Sequence, residues 1–289
     1  VLTLGRLHLI TDTRPGRDVL GVVGHALAAG FGVVQVRPED AVTDREAYDL
    51  TVRVLALCRA AGAVCLVNDR LHVALAAGAH GAHVGADDLP VAAARRVLGP
   101  HAILGATARN PETARRAVAD GATYLGVGPA YATTTKTGLP AAIGPEGIRA
   151  VVEAVDVPVI AIGGVTPERA AVLFSLGAHA VAVVGAMSGA PDPAATGARF
   201  AAVLAAHGAS SAHGASSAHG VPHGAPSAHD VPHGAPSAHD VPHDAPSAHD
   251  VSHGAPSARD IYEMSDKSGR LRLDLSGEGG AATAEGGRA

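Results

Sequence analysis

Cysteine, lysine, long apolar runs and surplus positive charge are all scarce in this sequence, and each scarcity removes a class of protein. Two cysteines in 289 residues, Cys58 and Cys65, are too few for a disulfide framework. They fit a reducing cytosol, where both would simply pack. No apolar run is long enough to span a bilayer, and no signal-peptide pattern opens the sequence as given. The formal net charge is −5, so no basic surplus argues for nucleic acid. The expectation is a cytoplasmic chain with neither a membrane nor a nucleic-acid partner, and with homo-oligomer formation left open.

The charges are unevenly placed. Residues 1–206 hold 17 basic and 17 acidic side chains, whereas residues 207–289 hold 5 and 10. Composition changes at the same point. Before it the chain is rich in Ala, Val, Leu and Gly with clear periodicity; after it come Gly, Ala, Ser, Pro, His and Asp. One domain over 1–206 and a disordered tail over 207–289 are therefore expected. Ten of the 17 histidines lie at or beyond His207, in a near-repeat such as Val-Pro-His-Gly-Ala-Pro-Ser-Ala-His-Asp at 221–230. Weak Zn²⁺ or Ni²⁺ binding, a pH-dependent charge and plain repeat expansion in a permissive linker all fit that pattern.

Within 1–206, short apolar runs alternate with helical patterns about eight times. The strands read as near-continuous apolar stretches, as strands covered on both faces should. Asp18, Asp44, Asn110-Pro111, Thr166-Pro167 and Asp192-Pro193 are helix starts, and glycines close most helices just before the next strand. Such alternation over about 200 residues predicts an α/β fold, a TIM (β/α)8 barrel. An open doubly wound sheet is the second choice, because no strong Gly-x-Gly-x-x-Gly follows the first strand.

In such a barrel, side chains at the C-terminal strand ends converge on one mouth. Strand two delivers Gln35 and Arg37, strand three Asn68 and Asp69. The loop after strand four brings Asp87 and Asp88, and strand five brings Thr107. Strand six enters a loop carrying Thr133, Thr134, Thr135, Lys136 and Thr137. Strands seven and eight end at Gly163-Gly164 and Val184-Gly185, whose backbone N–H groups can cradle a phosphate. Lys136 is the only lysine before residue 207, against sixteen arginines, which suggests a need for a compact point charge. A solvated surface turn would account for that loop equally well. Two carboxylates beside cationic groups suit Mg²⁺, with Asp69 and Asp88 the best pair; Asp87 could replace Asp88, and one of these two neighbours is expected to face solvent. Asp69 could instead cap the helix that starts near Arg70, and Thr107 could cap its own turn. The histidines form no metal-ligand pattern, and His80 and His83 are read as structural or supporting residues.

These pieces, in this order and spacing, resemble thiamine phosphate synthase over nearly all of residues 7–200. The matching segments are Val-Gln-Val-Arg at 34–37, Val-Asn-Asp-Arg at 67–70, His-Val-Gly-Ala-Asp-Asp-Leu-Pro at 83–90 and Gly-Ala-Thr at 105–107. They continue with Gly-Val-Gly-Pro-Ala-Tyr-Ala-Thr-Thr-Thr-Lys at 126–136, Ala-Ile-Gly-Gly-Val at 161–165 and Gly-Ala-His-Ala-Val-Ala-Val-Val at 177–184. The resemblance implies a barrel enzyme that joins hydroxymethylpyrimidine diphosphate to thiazole phosphate with loss of diphosphate.

By the same resemblance, Gln35, Arg37, Glu39, Asn68, Thr107 and Lys136 would face the pyrimidine diphosphate, with Arg37, Lys136 and Thr107 catalytic. Thr133, Thr134, Thr135, Gly164, Val184 and Gly185 would bind the thiazole phosphate, and Asp69 and Asp88 would hold Mg²⁺. The family pattern has lysine where this chain has Glu39, and serine where it has Thr107 and Gly185. The expectation is that Pro38 turns Glu39 outward and that Arg109 supplies the missing charge. The alternatives are a thiazole tautomerase-like relative and a non-catalytic phosphate-ligand binding paralogue.

Overall fold

The structure, a computed structural model, describes residues 4–135 and 138–216. Eight parallel strands form a closed barrel in sequence order: β1 (Leu7–Ile10), β2 (Val33–Val36), β3 (Val64–Asn68), β4 (Gly81–Val84), β5 (Ile103–Ala108), β6 (Tyr124–Val127), β7 (Val159–Ile162) and β8 (Ala180–Val183). β1 closes the ring by pairing with β8 on one side, Leu9 against Val183, and with β2 on the other, Leu9 against Val34. Between successive strands lie α1 (Val19–Ala28), α2 (Asp44–Ala61), α3 (Leu71–Ala77), α4 (Val91–Leu98), α5 (Pro111–Ala119), α6 (Gly144–Val152) and α7 (Pro167–Ser175). After β8 come α8 (Gly185–Ser188) and α9 (Pro193–Ser216). The expected TIM barrel is the observed fold.

Two cores follow from strands buried on both faces. Ile10, Val33, Val64, Leu66, Tyr124, Ile160, Ala180 and Ala182 fill the barrel interior, while the alternate strand residues pack against the helices. α2 illustrates the helix side. Its buried residues Ala47, Thr51, Val54, Leu55 and Cys58 recur at helical spacing, and its ends are fixed by a Thr43–Glu46 capping box and by Gly62 in the left-handed region. Asn110 and Thr166 cap α5 and α7 as the sequence implies, each with proline in the first turn.

Three details differ from the sequence reading. Arg70, not Asp69, occupies the N-cap position of α3, and no side chain caps that helix. α8 is an additional single turn, too short to carry an amphipathic signal. α9 continues past Ala206 to Ser216, because no proline interrupts the chain between Pro193 and Pro222. Its Phe200 is buried edge-on against Phe31, with ring centroids 6.0 Å apart. The tail residues expected to be disordered, from 217 on, lie outside the described residues, as do Lys136 and Thr137.

Candidate active site

The C-terminal ends of the strands open into one cavity of about 780 Å³, within the size range of small-molecule sites. Gln35, Arg37, Asn68, Asp69, Asp87, Asp88 and Thr107 all line it. So do Thr133, Thr134, Thr135, Gly164, Val184 and Gly185. Every strand-tip residue singled out from the sequence therefore meets at one mouth, with three exceptions. Lys136 and Thr137 lie outside the described residues. Glu39 is absent from the lining and instead pairs with Arg37, its Oε1 3.2 Å from Arg37 Nη1. The carboxylate stays beside Arg37, itself a cavity-lining residue, and takes part of its charge.

The tips of β1 and β2 are clipped together by two threonines. Arg37 N donates to Thr11 Oγ1 at 2.9 Å and Glu39 N donates to Thr13 Oγ1 at 2.9 Å. Beside them Asp12 is buried and held by Arg14 at 2.6 Å, Arg17 at 3.2 Å and the Ser188 hydroxyl at 2.9 Å. The Arg14 hydrogen bond, followed by the smaller Ser188 contribution, holds the Asp12 carboxyl down to about 2. In the fold Asp12 anchors α8, and with it Gly185 at the cavity edge.

Asp69 is the one non-glycine residue with positive φ, +62°, among the described residues. Its N–H donates to His83 O at 2.9 Å, which bends the chain at the tip of β3 and fixes the backbone in a costly conformation. Asp88 Oδ2 accepts from Gly85 N at 2.6 Å, folding the β4 loop back toward its strand. Asp87 is exposed and Asp88 half-buried, the division expected of adjacent turn residues. Two carboxylates thus stand at neighbouring strand tips above one cavity. Among the described residues no group of three His, Cys, Asp or Glu side chains could hold a metal. A two-carboxylate set suits a hard cation that completes its shell with ligand phosphate and water.

A buried polar chain that the sequence did not reveal runs along the wall. His83 Nδ1 lies 3.0 Å from the Tyr124 hydroxyl, and its Nε2 lies 3.0 Å from Thr107 Oγ1. Burial pushes the His83 pKa down to about 4, so the ring is neutral and carries one proton. Burial also raises the Tyr124 pKa, opposed by a hydrogen bond from the Gln35 side chain. Two directions satisfy these groups: Gln35 to Tyr124 to Nδ1 with Nε2–H donating to Thr107, which leaves the Thr107 hydroxyl proton for the cavity, or Thr107 to Nε2 with Nδ1–H donating to Tyr124. Sequence reasoning placed His83 only as a supporting residue.

The loop after β6 is anchored at both ends. Ala130 N and Tyr131 N donate to Ile162 O at 2.8 Å and to Gly163 O at 3.0 Å, and Ile143 N donates to Pro129 O at 2.9 Å. Arg169 stacks over Tyr131, 4.5 Å from the ring centroid, while donating to Gly164 O at 2.6 Å. Within the loop Thr135 N donates to Thr133 Oγ1 at 3.3 Å. Arg109 Nη2 donates to Ala141 O at 2.6 Å, but its Nε is buried with no acceptor. A buried donor left unmatched costs about 1–3 kcal/mol.

The barrel portion of the chain is similar to proteins of one family. The family model for thiamine monophosphate synthase matches residues 7–187. The chain is 61% identical over 204 residues to a thiamine-phosphate synthase of Salinispora arenicola, covering 70% of this chain and 98% of that protein. It is 62% identical over 194 residues to one from Salinispora tropica, covering 66% and 93%. Among solved structures, a thiamine phosphate pyrophosphorylase from Pyrococcus furiosus superposes with a TM-score of 0.65 at 33% identity, covering 70% of this chain and 96% of that one.

Proposed function

The chain belongs to the thiamine monophosphate synthase family, and from that premise we propose how its cavity is divided between two small substrates and a divalent cation. Its activity is that of a thiamine-phosphate synthase, a transferase of thiamine biosynthesis. The substrates in this reading are hydroxymethylpyrimidine diphosphate and thiazole phosphate. The observation that carries it is the meeting of Arg37, Asp69, Asp88, Thr107 and Thr133–Thr135 around one cavity large enough for both.

The bond between the pyrimidine methylene carbon and the diphosphate oxygen breaks, and its electron pair leaves with diphosphate. The thiazole nitrogen lone pair then forms the new carbon–nitrogen bond. The developing negative charge on the leaving group is what the site must stabilise, and no covalent nucleophile is needed. Arg37 and the Thr107 hydroxyl donate to the diphosphate, joined by Lys136. Asn68 and Gln35 orient the pyrimidine end, and Glu39 acts only by moderating Arg37. Thr133, Thr134, Thr135 and the backbone at Gly164, Val184 and Gly185 receive the thiazole phosphate. Asp69 and Asp88 would hold Mg²⁺, which supplies positive charge against the diphosphate oxygens.

The setting we propose is cytosolic, supported by two free cysteines, both buried. Among the described residues no helix is long and apolar enough to cross a membrane. Neither the tautomerase-like nor the non-catalytic alternative has an observation in its favour. The test is pyrophosphate release by the full chain. Release is expected only with both precursors and is expected to stop on chelation with EDTA. Release from the pyrimidine diphosphate alone at the same rate, or none with both, would overturn the reading.

A further inference from the structure

We propose that Arg109 binds the diphosphate of the pyrimidine substrate. The proposal rests on the assignment of this cavity to a diphosphate-bearing substrate, and it deepens that assignment by one residue.

Three arginines line the cavity among the described residues: Arg37, Arg109 and Arg169. Arg37 is paired with Glu39 at 3.2 Å. Arg169 is committed to Gly164 O and to the face of Tyr131. Arg109 is placed differently. It follows Ala108, the last residue of β5, and so emerges at the mouth two positions after Thr107. It has no ion pair with an acid among the described residues. Its one hydrogen bond to another side of the site is to the neutral carbonyl of Ala141. Its Nε is the one buried side-chain polar atom without a partner among the described residues.

A guanidinium cannot shed its proton to escape such a position. It keeps a full charge and an unmatched donor beside a cavity that already holds two carboxylates. A phosphate oxygen is the acceptor this arrangement lacks, because it offers both the negative charge and the lone pairs for a paired contact. The Ala141 carbonyl is a weaker acceptor than an ionised phosphate, so it yields when the ligand arrives. Ala141 lies in the same loop as Thr133–Thr135. The pairing of Arg37 with Glu39 makes this contribution matter more, since part of Arg37's charge is already spent on a carboxylate.

The experiment compares Arg109→Gln, Arg109→Lys, Glu39→Gln and the Arg109→Gln/Glu39→Gln double variant with the parent full chain. Glutamine ends at about the position of Nε, two bonds short of the Nη2 that reaches Ala141 O, so it removes the charge and the Ala141 contact together, and Arg109→Lys, which restores the charge, separates the two. Inorganic pyrophosphate with Mg²⁺ is the binding probe, followed by calorimetry. Arg109→Gln is expected to weaken pyrophosphate binding at least tenfold and to raise KM for the pyrimidine diphosphate similarly. KM for the thiazole phosphate should stay within about twofold, and Arg109→Lys should recover part of the loss. In the Glu39→Gln background, where Arg37 is released, the Arg109→Gln penalty should shrink at least threefold. Pyrophosphate binding equal to the parent's in a folded Arg109→Gln protein would overturn the proposal. So would an equal rise in both KM values with no dependence on Glu39, which marks a purely structural tie. A parent that binds pyrophosphate but releases none from the two precursors would instead overturn the assigned reaction and leave the Arg109 test intact.

Discussion

His83 Nε2 stands 3.0 Å from the hydroxyl of Thr107, and this contact sets which way that hydroxyl can point. With the ring neutral and Nδ1 accepting from Tyr124, Nε2–H donates and Thr107 is free to donate toward the cavity; in the opposite tautomer Thr107 donates to Nε2. Thr107→Ala removes that donor from a developing diphosphate charge. The expected loss in kcat/KM is roughly 10–100-fold, the equivalent of one hydrogen bond to a charged group. Thr107→Ser should stay within a few-fold of the parent. Steady-state pyrophosphate release measures both, and an alanine variant as active as the parent would refute the donor role.

The barrel and most of the mouth were legible because each signal is local. An apolar run that passes directly into Asn68-Asp69, or ends at Gly163-Gly164, places those residues at a strand tip whatever the neighbouring strands do. The Tyr124–His83–Thr107 chain was not legible, because it depends on register between strands. His83 pairs with Gly105, Gly105 with Tyr124, and Thr107 with Gly126. The ring fits only because Gly105 has no side chain; a Cβ there would fall 2.4 Å from His83 Nδ1 and 2.1 Å from Tyr124 Cζ. No pattern within one segment announces that three-strand coincidence. The same holds for Asp12 and Ser188, which meet only because β8 returns beside β1. The role of Glu39 depended on a rotamer, which sequence does not specify.

Gly164 combines a backbone requirement with a packing one. Its φ is +61°, and a Cβ would fall 2.6 Å from Ala132 O and 2.9 Å from Tyr131 Cβ. Gly164→Ala therefore strains the backbone and pushes the threonine loop off the tip of β7. A destabilisation of about 1–3 kcal/mol is expected, with KM for the thiazole phosphate raised roughly tenfold or more. Gly24→Ala is the control. Gly24 lies in α1 with nothing within 4 Å of the added carbon, so it should gain up to about 1 kcal/mol. Thermal melts and substrate titrations on the two variants decide the matter. Equal behaviour would mean that the loop does not rest on Gly164.

Inside the barrel, His8 gives the fold a pH dependence with a definite sign. Burial drives its pKa from 6.5 to about 3, partly offset by its hydrogen bond to Gly5 O at 2.8 Å, while nearby His179 and His83 lower it further. Between those two values the unfolded chain holds a proton at this position that the folded chain does not. Stability therefore rises with pH across that window. The contribution is complete above about 6.5 and declines as pH falls toward 3, by roughly 1.4 kcal/mol per unit for one proton. His83, lowered by burial to about 4, acts in the same direction. Asp12, held at about 2 against an ordinary 3.8, loses its contribution only at lower pH and does not confuse the range from 5 to 7. Urea midpoints at pH 7.5, 6 and 5 should fall steadily in the parent. His8→Gln keeps a donor for Gly5 O but has nothing to titrate, so its decline should be shallower by about one proton's slope. Parallel declines in the two proteins would show that His8 is not a source of the acid sensitivity.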